Sequence, residues 1–427
     1  MDKFIISGGK PLHGNMRPSG NKNAALPMLA ACLLTEEPII LHNMPEITDT
    51  NTMRKLVESL GVSVEKLGDG SSWRLQATDI RPADLDPDIC RKIRASILLA
   101  GPMVARHGTL VLPPPGGDVI GRRRVDTHIM ALQKLGATFN YDNCFHFSAD
   151  SLSGADILLD EASVTATENT IMAAVKAKGR TIIRNAASEP HIQELCQFLN
   201  SLGAKIQNIG SNTLIIDGVS ELHGGEFTIG PDYLEVVSYI GAAVVTHGEM
   251  RIQDAGVEHL GMIQLVLRRL GVDFDIVGKD VLVGANQRLV IESDLGNAIP
   301  EISVMPWPAF PTDLMSIAIV IATQSTGTIL FHDWMYPSRM FFTDKLVAMG
   351  AQIVLCDPHR CIVNGPTRLN SEKLDSPDIR AGIALVLAAL SAKGTSVIRN
   401  VTQIDRGYEK LDQKLASLGA DITREGD

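Results

Sequence analysis

The sequence predicts an α/β fold built from six copies of one helix–strand unit. Each copy contains an amphipathic run that closes in Leu-Gly or Met-Gly, followed by Ala or Val and an apolar stretch. The six glycines recur 67 to 79 residues apart, which is the spacing of a supersecondary repeat. Because a chain of 427 residues exceeds the size of a single hydrophobic core, we expect two domains with three copies each.

The glycine of each copy is predicted to end a helix. A left-handed residue commonly follows the last helical turn, and glycine adopts this conformation without steric cost. The apolar residues that come next are predicted to form a strand. In chain order these glycines are Gly61, Gly136, Gly203, Gly271, Gly350 and Gly419.

A second recurring phrase supports the repeat. It contains a glycine that follows a predicted helix and precedes a short run of alternating apolar residues, which indicates a helix end, a turn and a strand. Chance recurrence of a common tripeptide would not make the spacing and both flanks recur together. The glycines of this phrase are Gly108, Gly179, Gly248, Gly327 and Gly394.

The charge and the apolar content of the sequence disfavour several classes of protein. A net charge of −10 disfavours non-specific binding of nucleic acid, which requires a cationic surface. No apolar run approaches the roughly 18 residues of a membrane span, and the N-terminus lacks the regions of a signal peptide. We therefore expect a cytoplasmic protein without membrane insertion.

The cysteines do not indicate a metal centre. Cys356 and Cys361 flank Asp357 to Arg360 and are predicted to be cross-strand neighbours in a hairpin. A metal-binding pair is the alternative, but no second pair or histidine cluster has zinc spacing. We expect no metal.

One stretch combines glycine, proline and arginine. Its prolines and glycines, from Pro113 to Gly121, exclude helix and strand and predict a shaped loop of about residues 113–124. Three adjacent arginines, Arg122 to Arg124, follow in a protein that is acidic overall. They indicate a small anionic ligand, with a solvated run of charge as the alternative.

Other cations stand at the ends of predicted helices. Lys22 and Asn23 follow a small-residue turn at the start of an apolar helix, where backbone N–H groups and the helix dipole favour an anion. Guanidinium groups match phosphate and carboxylate bidentately, so their convergence would suit an anion with both groups. The arginines concerned are Arg94, Arg339, Arg380 and Arg406.

These phrases resemble the UDP-N-acetylglucosamine 1-carboxyvinyltransferases, with EPSP synthase as a more distant relative. The resemblance runs from about residue 1 to residue 425. Its most specific phrases are Ser19 to Pro27, Arg94 to Ser96, Gly116 to His128, Phe310 to Asp313 and Ile404 to Tyr408.

The resemblance implies a two-domain inside-out α/β barrel built from six repeats of one βα unit, three per domain, with helices inside and sheets outside. The first domain would span residues 22–230 and include the Gly-rich loop, and the second would combine 1–21 with 231–427. Ligands would bind between the domains, and the loop would close over them.

The implied reaction transfers the enolpyruvyl group of phosphoenolpyruvate to the 3-hydroxyl of UDP-N-acetylglucosamine and releases phosphate. This is the first committed step of peptidoglycan synthesis. Addition followed by elimination needs a base for the hydroxyl proton, an acid for the methylene carbon, and cations around phosphate and carboxylate. Phosphoenolpyruvate and a UDP-sugar are thus the implied partners, and no cofactor is implied.

The resemblance also implies residue roles. Asp313 would be the base near the sugar hydroxyl, Asp118 the proton donor, and Lys22 and Arg406 catalytic cations that bind phosphoenolpyruvate. The stretch from Arg123 to His128 would line the uridine nucleotide. The implied substrate-binding residues are Asn23, Arg94, Arg123, Arg124, Val125, Asp126, His128, Ser163, Val164, Arg339, Asp378 and Arg380.

Local alternatives exist for three of these residues. Asp313 after Pro-Thr could simply cap a helix. Arg380 could lie on the exposed face of an amphipathic helix, and Arg406 could pair with Asp405 or Glu409.

Asp118 stands where most members of the family have a cysteine. The antibiotic fosfomycin is an epoxide that alkylates this cysteine. A carboxylate is a much poorer nucleophile toward an epoxide than a thiolate, so the sequence predicts insensitivity to fosfomycin.

A second group of departures falls on the acceptor side. Glu161 replaces a typical lysine near the nucleotide, which would exchange attraction for repulsion of a pyrophosphate. Arg124 replaces a proline and offers a compensating charge. Thr165, His191 and Tyr233 replace a glycine, a glutamate and an arginine.

These departures leave open a different nucleotide or nucleotide sugar as acceptor. A non-catalytic paralogue is a further alternative, but a scaffold gains nothing from burying Asp313 with so many cations.

Overall fold

Helices and strands alternate along the chain in the computed structural model, which describes residues 2–81, 84–118, 120–121 and 123–426. The helices are α1 (Lys22–Ala31), α2 (Thr48–Ser59), α3 (Pro87–Lys92), α4 (Ala100–His107), α5 (Asp126–Lys134), α6 (Val164–Ala174), α7 (Pro190–Ser201), α8 (Tyr233–Val245), α9 (Gly261–Arg269), α10 (Met315–Gln324), α11 (Thr343–Ala348), α12 (Ile379–Ser391) and α13 (Leu411–Ser417). The strands are β1 (Lys3–Ser7), β2 (His13–Met16), β3 (Ile39–His42), β4 (Ser63–Leu67), β5 (Ser72–Gln76), β6 (Thr109–Leu112), β7 (Thr138–Asp142), β8 (Cys144–Ser148), β9 (Asp156–Leu158), β10 (Arg180–Arg184), β11 (Lys205–Gln207), β12 (Thr213–Asp217), β13 (Gly225–Thr228), β14 (Glu249–Ile252), β15 (Asp275–Val277), β16 (Asp280–Val283), β17 (Glu301–Ser303), β18 (Gly327–His332), β19 (Gln352–Asp357), β20 (Arg360–Gly365), β21 (Lys373–Asp375), β22 (Thr395–Arg399) and β23 (Asp421–Glu425).

Within the described residues these strands form six sheets that share one plan. Three strands pair antiparallel, and in five of the sheets a fourth strand adds to one edge in parallel. The strand orders are β13-β3-β5-β4, β6-β8-β7, β11-β12-β10-β9, β15-β16-β14-β2, β17-β18-β20-β19 and β21-β22-β1-β23. The α/β fold predicted from the sequence is therefore confirmed.

The six repeat glycines all have left-handed backbone conformations. Their φ angles are 99° (Gly61), 104° (Gly136), 101° (Gly203), 77° (Gly271), 103° (Gly350) and 99° (Gly419). Each lies between the end of a helix and the start of a strand, as the repeat predicted. A residue with a Cβ would be strained at these positions, which explains why glycine recurs there.

The chain divides into two compact units. Of the described residues, the N-terminal unit contains 20–81, 84–118 and 123–230, and the C-terminal unit contains 2–19, 120–121 and 231–426. Ile120 and Gly121 of the predicted loop thus group with the C-terminal unit, in which the backbone N–H of Ser338 donates to the carbonyl of Ile120 at 3.3 Å.

The C-terminal unit is built around α8, α10 and α12, which pack against one another. All of α8 is buried, and so is nearly all of α10 and α12. Gly241 of α8 allows their close approach, because a Cβ there would lie 3.0 Å from side-chain carbons of Ile317 and Leu387. The sheets cover this helical centre and bury one face, as Phe4 and Ile6 of β1 illustrate.

The N-terminal unit has a hydrophobic core of its own. Helices α4 and α6 pack closely, since a Cβ on Gly101 would lie only 2.4 Å from the carbonyl oxygen of Asn169. Helix α1 is apolar and buried over Ala24 to Ala31. The sheets contribute Trp73 of β5 and Phe147 of β8 to this core, and both side chains are fully buried.

The predicted hairpin with two cysteines is formed by β19 and β20. The register is irregular near its end, so that Leu355, not Cys356, lies opposite Cys361. Cys356 is exposed, whereas burial raises the pKa of the Cys361 thiol to about 12. Along the described residues no helix has the length and apolarity that crossing a bilayer requires.

Candidate active site

Lys22 is a nearly buried cation at the first position of α1. Its Nζ lies 3.2 Å from Oδ2 of Asp49, and both side chains are almost shielded from solvent. Asn21 caps the helix, because its side chain accepts a hydrogen bond from the backbone N–H of Asn23 at 2.9 Å. An ammonium group has three donors, so the contact with Asp49 leaves donors for an anion at this helix terminus.

Gly20 fixes the approach of the chain to this helix. A Cβ at this position would lie 1.8 Å from the backbone oxygen of Asn43, which no rotamer could relieve. The N–H of Asn21 donates to the carbonyl of Gly230 at 2.8 Å. The small-residue turn noted in the sequence therefore sets the direction in which Lys22 and Asn23 begin the helix.

The predicted loop is irregular throughout its described part, and its Val119 and Arg122 lie outside the described residues. Arg94 supports it: one Nη donates to the carbonyl oxygens of Arg123 (3.1 Å) and Arg124 (2.5 Å). Gly116 packs so closely on α3 that a Cβ would lie 1.7 Å from the carbonyl oxygen of Arg91. Asp118 is half-buried at the end of this supported segment.

Arg123 and Arg124 differ in their surroundings. Arg123 is half-buried, and its Nη1 would lie 3.3 Å from a Cβ on Gly117. Arg124 is exposed and bonded to Asp126 (3.2 Å) and Asp160 (3.0 Å). The hydrogen bond that Arg124 donates to Asp126 and the charge of Asp160 raise the pKa of Arg124. The positive charge of Arg124, which was expected to compensate for Glu161, is thus already paired with carboxylates of the protein.

His128 is buried on α5 in a single tautomer. Oδ1 of Asn169 accepts from the N–H of Gly101 at 2.7 Å, so its amide nitrogen donates to Nδ1 of His128 at 2.8 Å. Nε2 must then carry the hydrogen and donate to Oγ1 of Thr165 at 3.0 Å. Burial, with a smaller effect of Arg94, lowers the pKa of His128 to about 3. His128 is therefore neutral at physiological pH.

Helix α6 begins with the predicted residues Ser163 and Val164. The Ser163 side chain caps the helix by accepting from the N–H of Ala166 at 3.4 Å. Val164 is the first helical residue and is half-buried, while Glu161 is exposed just before the helix. Directly after the Gly-rich loop, Val125 and Asp126 form the start of α5. Both helix starts present backbone N–H groups suited to negatively charged oxygen atoms.

Asp313 does not cap a helix. It lies in the turn Thr312–Leu314 before α10, and neither this turn nor α10 has a side-chain cap. Its Oδ1 accepts from Arg339 at 2.9 Å, and its Oδ2 lies 3.2 Å from Arg380. The capping alternative is therefore wrong, and the carboxylate, which is 28% exposed, is held between two arginines.

Those two arginines are buried. Arg339 and Arg380 are each 5% exposed, so the surface alternative for Arg380 is also wrong. Burial is the largest single effect and acts to lower the pKa of both guanidinium groups, but Asp313 together with other neighbours outweighs it and the pKa of each is raised. The other neighbours include Asp378 for Arg339 and Tyr408 for Arg380. Asp378 caps α12 by accepting from the N–H groups of Arg380 (2.8 Å) and Ala381 (3.0 Å), and lies 4.0 Å from Arg339.

The hydroxyl groups of Tyr408 and Ser238 form a hydrogen-bonded chain that ends at Arg380. Arg380 is hydrogen-bonded to the Tyr408 hydroxyl, which lies 2.8 Å from Oγ of Ser238. Ser238 in turn donates to the carbonyl of Leu234 at 2.7 Å. Burial raises the pKa of Tyr408 to about 12, although Arg380 opposes the shift, so the hydroxyl stays protonated.

Arg406 ends the helical turn Val401–Arg406 and is half-buried. Its Nη1 donates to Oε1 of Gln403 at 3.2 Å. The neighbouring Asp405 binds Arg424 through both carboxylate oxygens, at 2.9 and 2.5 Å. The carboxylate of Asp405 is thus engaged by Arg424 on β23.

Two of the residues that depart from the family are buried. His191 lies on α7 and is 3% exposed. Tyr233 is equally buried at the start of α8, with its ring 5.9 Å from that of Trp307. Glu161 and Thr165 remain the departures at the start of α6.

Sequence reasoning missed several supporting residues, among them Asp49, Asn169 and Tyr408. An acidic residue in the first turn of a helix, such as Asp49, is ordinary pairing with the helix dipole and gives no separate signal. Asn169 and Tyr408 act through partners far away in sequence. Among the described residues, no group of three or more His, Cys, Asp or Glu side chains could hold a metal ion.

The sequence of this chain is similar to those of named carboxyvinyltransferases. The family profile of EPSP synthase (3-phosphoshikimate 1-carboxyvinyltransferase) matches residues 6–415. The UDP-N-acetylglucosamine 1-carboxyvinyltransferase of Bradyrhizobium diazoefficiens is 54% identical over 422 residues, covering 99% of this chain and 98% of its own. The Treponema pallidum protein of the same name is 51% identical over 426 residues, covering 100% of both chains.

Solved structures share the fold at lower identity. The enolpyruvyl transferase NikO from Streptomyces tendae has a TM-score of 0.89 at 24% identity, covering 99% of both chains. An EPSP synthase from Acinetobacter baumannii has a TM-score of 0.77 at 16% identity, covering 100% of both chains.

Proposed function

The chain belongs to the UDP-N-acetylglucosamine 1-carboxyvinyltransferases of the EPSP synthase family, and from this premise we propose its reaction. It transfers the enolpyruvyl group of phosphoenolpyruvate to the 3-hydroxyl of UDP-N-acetylglucosamine and releases phosphate, the first committed step of peptidoglycan synthesis. The observation that supports this most directly is the Asp313 carboxylate, held by two buried arginines instead of capping α10.

The cations serve phosphoenolpyruvate in this proposal. Arg339 and Arg380 each have five N–H donors, and the contact with Asp313 uses one of them. Arg380 uses a second donor on the Tyr408 hydroxyl. The remaining donors can bind carboxylate or phosphate oxygen atoms. Lys22 likewise retains donors beyond its contact with Asp49, and its burial strengthens attraction to an anion. Arg94, Arg123 and Arg406 complete the set, and Asn23 and Asp378 assist at the sugar and the reacting carbon.

Asp313 is the general base. A carboxylate offers about four lone-pair positions, so the two arginine contacts leave room for a sugar hydroxyl. The arginines also hold the carboxylate in one orientation, which a base that must meet a hydroxyl at hydrogen-bond distance requires.

Asp118 is the acid that protonates the methylene carbon. It lies half-buried in the Gly-rich loop, directly after Gly117, whose Cβ position is 3.0 Å from the Cβ of Arg94.

The nucleotide is held by the starts of α5 and α6. Arg124, Val125, Asp126 and His128 lie on the uridine side, and Ser163 and Val164 lie at the pyrophosphate. Val164 can offer its backbone N–H group there, whereas the N–H of Ser163 already donates to the carbonyl of Glu161 at 2.8 Å. Neutral His128 acts through Thr165, to which its Nε2 donates, and not as a cation.

The first experiment measures phosphate release from phosphoenolpyruvate with UDP-N-acetylglucosamine, UDP-glucose, UMP or no acceptor. We expect release only with UDP-N-acetylglucosamine. Release only with another acceptor would replace the acceptor in this proposal, with exposed Glu161 as the first residue to test. If no acceptor gives phosphate release, the proposal of enolpyruvyl transfer is wrong.

Phosphoenolpyruvate is a metabolite of the cytoplasm. The proposal therefore includes a cytoplasmic location and, through peptidoglycan, a role in cell shape and division.

A further inference from the structure

Asp333 is a fully buried carboxylate that the reaction proposed above does not use. It follows β18 and is 0% exposed. Burying a carboxylate without partners is strongly unfavourable. Burial raises the pKa of Asp333, while Thr312 and Arg339 act to lower it. Such a group is retained in a core only when its hydrogen bonds are made.

Three donors converge on its carboxylate. The hydroxyl of Thr312 donates to Oδ2 at 2.5 Å. The backbone N–H groups of Met335 and Tyr336 donate to Oδ1 at 3.1 and 3.3 Å. One side chain thus joins two segments that lie more than twenty residues apart in the sequence.

The backbone of Asp333 is itself held. Its N–H donates to the carbonyl of His359 at 2.8 Å, and its own carbonyl accepts from Nδ1 of His359 at 2.7 Å. His359 lies in the turn between β19 and β20. The carboxylate is therefore attached to a sheet and does not move freely with either segment that it joins.

Both segments lead directly to the proposed base and its partner. Thr312 precedes Asp313 in the same turn. The carbonyl of Tyr336 accepts the N–H of Arg339 at 3.2 Å, and the guanidinium of Arg339 lies 5.3 Å from the centre of the Tyr336 ring. The contact of 2.9 Å between Asp313 and Arg339 is made where these two segments meet.

We propose that Asp333 and the Thr312 hydroxyl are positioning residues that hold Asp313 and Arg339 in their catalytic arrangement. This inference rests on the proposed function, since it assigns Asp313 as the base. Displacements of about 1 Å at a reacting group can cost on the order of a hundredfold in rate, so one lost hydrogen bond at this point has a large effect.

The test compares Thr312→Val with Thr312→Ser. Valine removes the hydroxyl at nearly constant volume, whereas serine keeps it. We expect T312V to lower kcat for phosphate release by about tenfold or more, with the KM for the UDP-sugar unchanged, and T312S to stay near the wild type. Thr323→Val is the matched control, because the buried Thr323 hydroxyl, at the other end of α10, donates to the carbonyl of Val320 and accepts from Gln324. It should lose stability without losing kcat.

Crystal structures of T312V and T312S provide a readout that does not depend on activity. We expect Asp313 to leave its contact with Arg339 in T312V and to keep it in T312S. An unmoved Asp313 in T312V, or an equal fall of kcat in T323V, would overturn the positioning role. A third outcome separates the two proposals. If Asp313 is displaced in T312V but the wild type releases no phosphate with any acceptor, the proposed function is wrong and the positioning role of Thr312 stands.

Discussion

Asp313 and His128 show how far the environment of a residue determines its chemistry. Asp313 has the sequence context of a helix cap, but two buried arginines hold its carboxylate away from the helix terminus. His128 has the sequence context of an ordinary polar residue on a helix, but Asn169 and Thr165 fix its tautomer. Neither arrangement follows from neighbouring residues, because every partner is distant in the chain.

Asp313→Asn tests the base. The amide keeps the size of the carboxylate but cannot accept the hydroxyl proton, so we expect kcat to fall by roughly 10²- to 10⁴-fold. The Kd for UDP-N-acetylglucosamine should change little. Steady-state phosphate release and calorimetric titration measure the two quantities. A variant with undiminished kcat would remove Asp313 from the role of base.

Asp118→Cys tests the acid and the drug response together. The wild type should keep its activity after incubation with fosfomycin, because a carboxylate reacts poorly with an epoxide. D118C should release phosphate and become inactivated over time, with a covalent adduct visible by mass spectrometry. An adduct on wild-type Asp118 would contradict the prediction. Failure of D118C in both respects would mean that the loop does not correspond to that of the family.

His128 predicts a pH dependence of stability. Its pKa is about 3 in the folded protein and 6.5 as its ordinary value, so the unfolded chain takes up a proton first as the pH falls. Its contribution to stability is therefore complete above pH 6.5 and decreases toward pH 3, by about 1.4 kcal/mol per pH unit. Urea unfolding between pH 7 and 5 should show a shallower slope in His128→Gln than in the wild type. His107→Gln, on the exposed end of α4, should keep the wild-type slope.

At the scale of elements, the repeat glycines were predictable and the pairing of strands was not. Gly61 and its five equivalents mark a helix end through a local steric rule, so the sequence alone locates them. Strand β2 pairs in parallel with β14, and β13 with β3. These pairings join segments about two hundred residues apart, and no local pattern specifies such a partner.

Gly20→Ala tests how α1 presents Lys22. A Cβ would meet the backbone oxygen of Asn43 at 1.8 Å, so the turn must shift. We expect weaker binding of phosphoenolpyruvate and a loss of at least about 1 kcal/mol of stability, as overpacking usually costs. Gly261→Ala is the control, because a Cβ at the start of α9 meets nothing within 4 Å. Equal effects of the two substitutions on binding would contradict the prediction.

At the scale of the whole molecule, residues 2–19 and 231–426 belong to the same C-terminal unit. Strand β1 lies between β22 and β23, and all its residues pair with both neighbours. Arg424 on β23 binds Asp405, the residue before Arg406. The sequence alone predicted three repeats per domain, but the contribution of the first residues to the second domain came only from the family resemblance.

Removal of β23 should therefore affect both stability and chemistry. A protein that ends at Ala420 loses one neighbour of β1 and the partner of Asp405. We expect a lower unfolding midpoint in urea and a weaker affinity for phosphoenolpyruvate through Arg406. A protein that ends at Glu425 keeps the strand and should match the full chain. Full activity of the shorter protein would exclude the link between β23 and Arg406.

The position of β1 also has a consequence for synthesis on the ribosome. The strand ends at Ser7, but its partners β22 and β23 begin only at Thr395 and Asp421. At translation rates of about 5–20 residues per second, the nascent strand waits roughly 20 to 80 s for them. The N-terminal unit can fold in that interval, while the apolar face of Phe4 and Ile6 stays exposed. We therefore expect nascent chains to need chaperone protection at β1 until β22 and β23 have been synthesised.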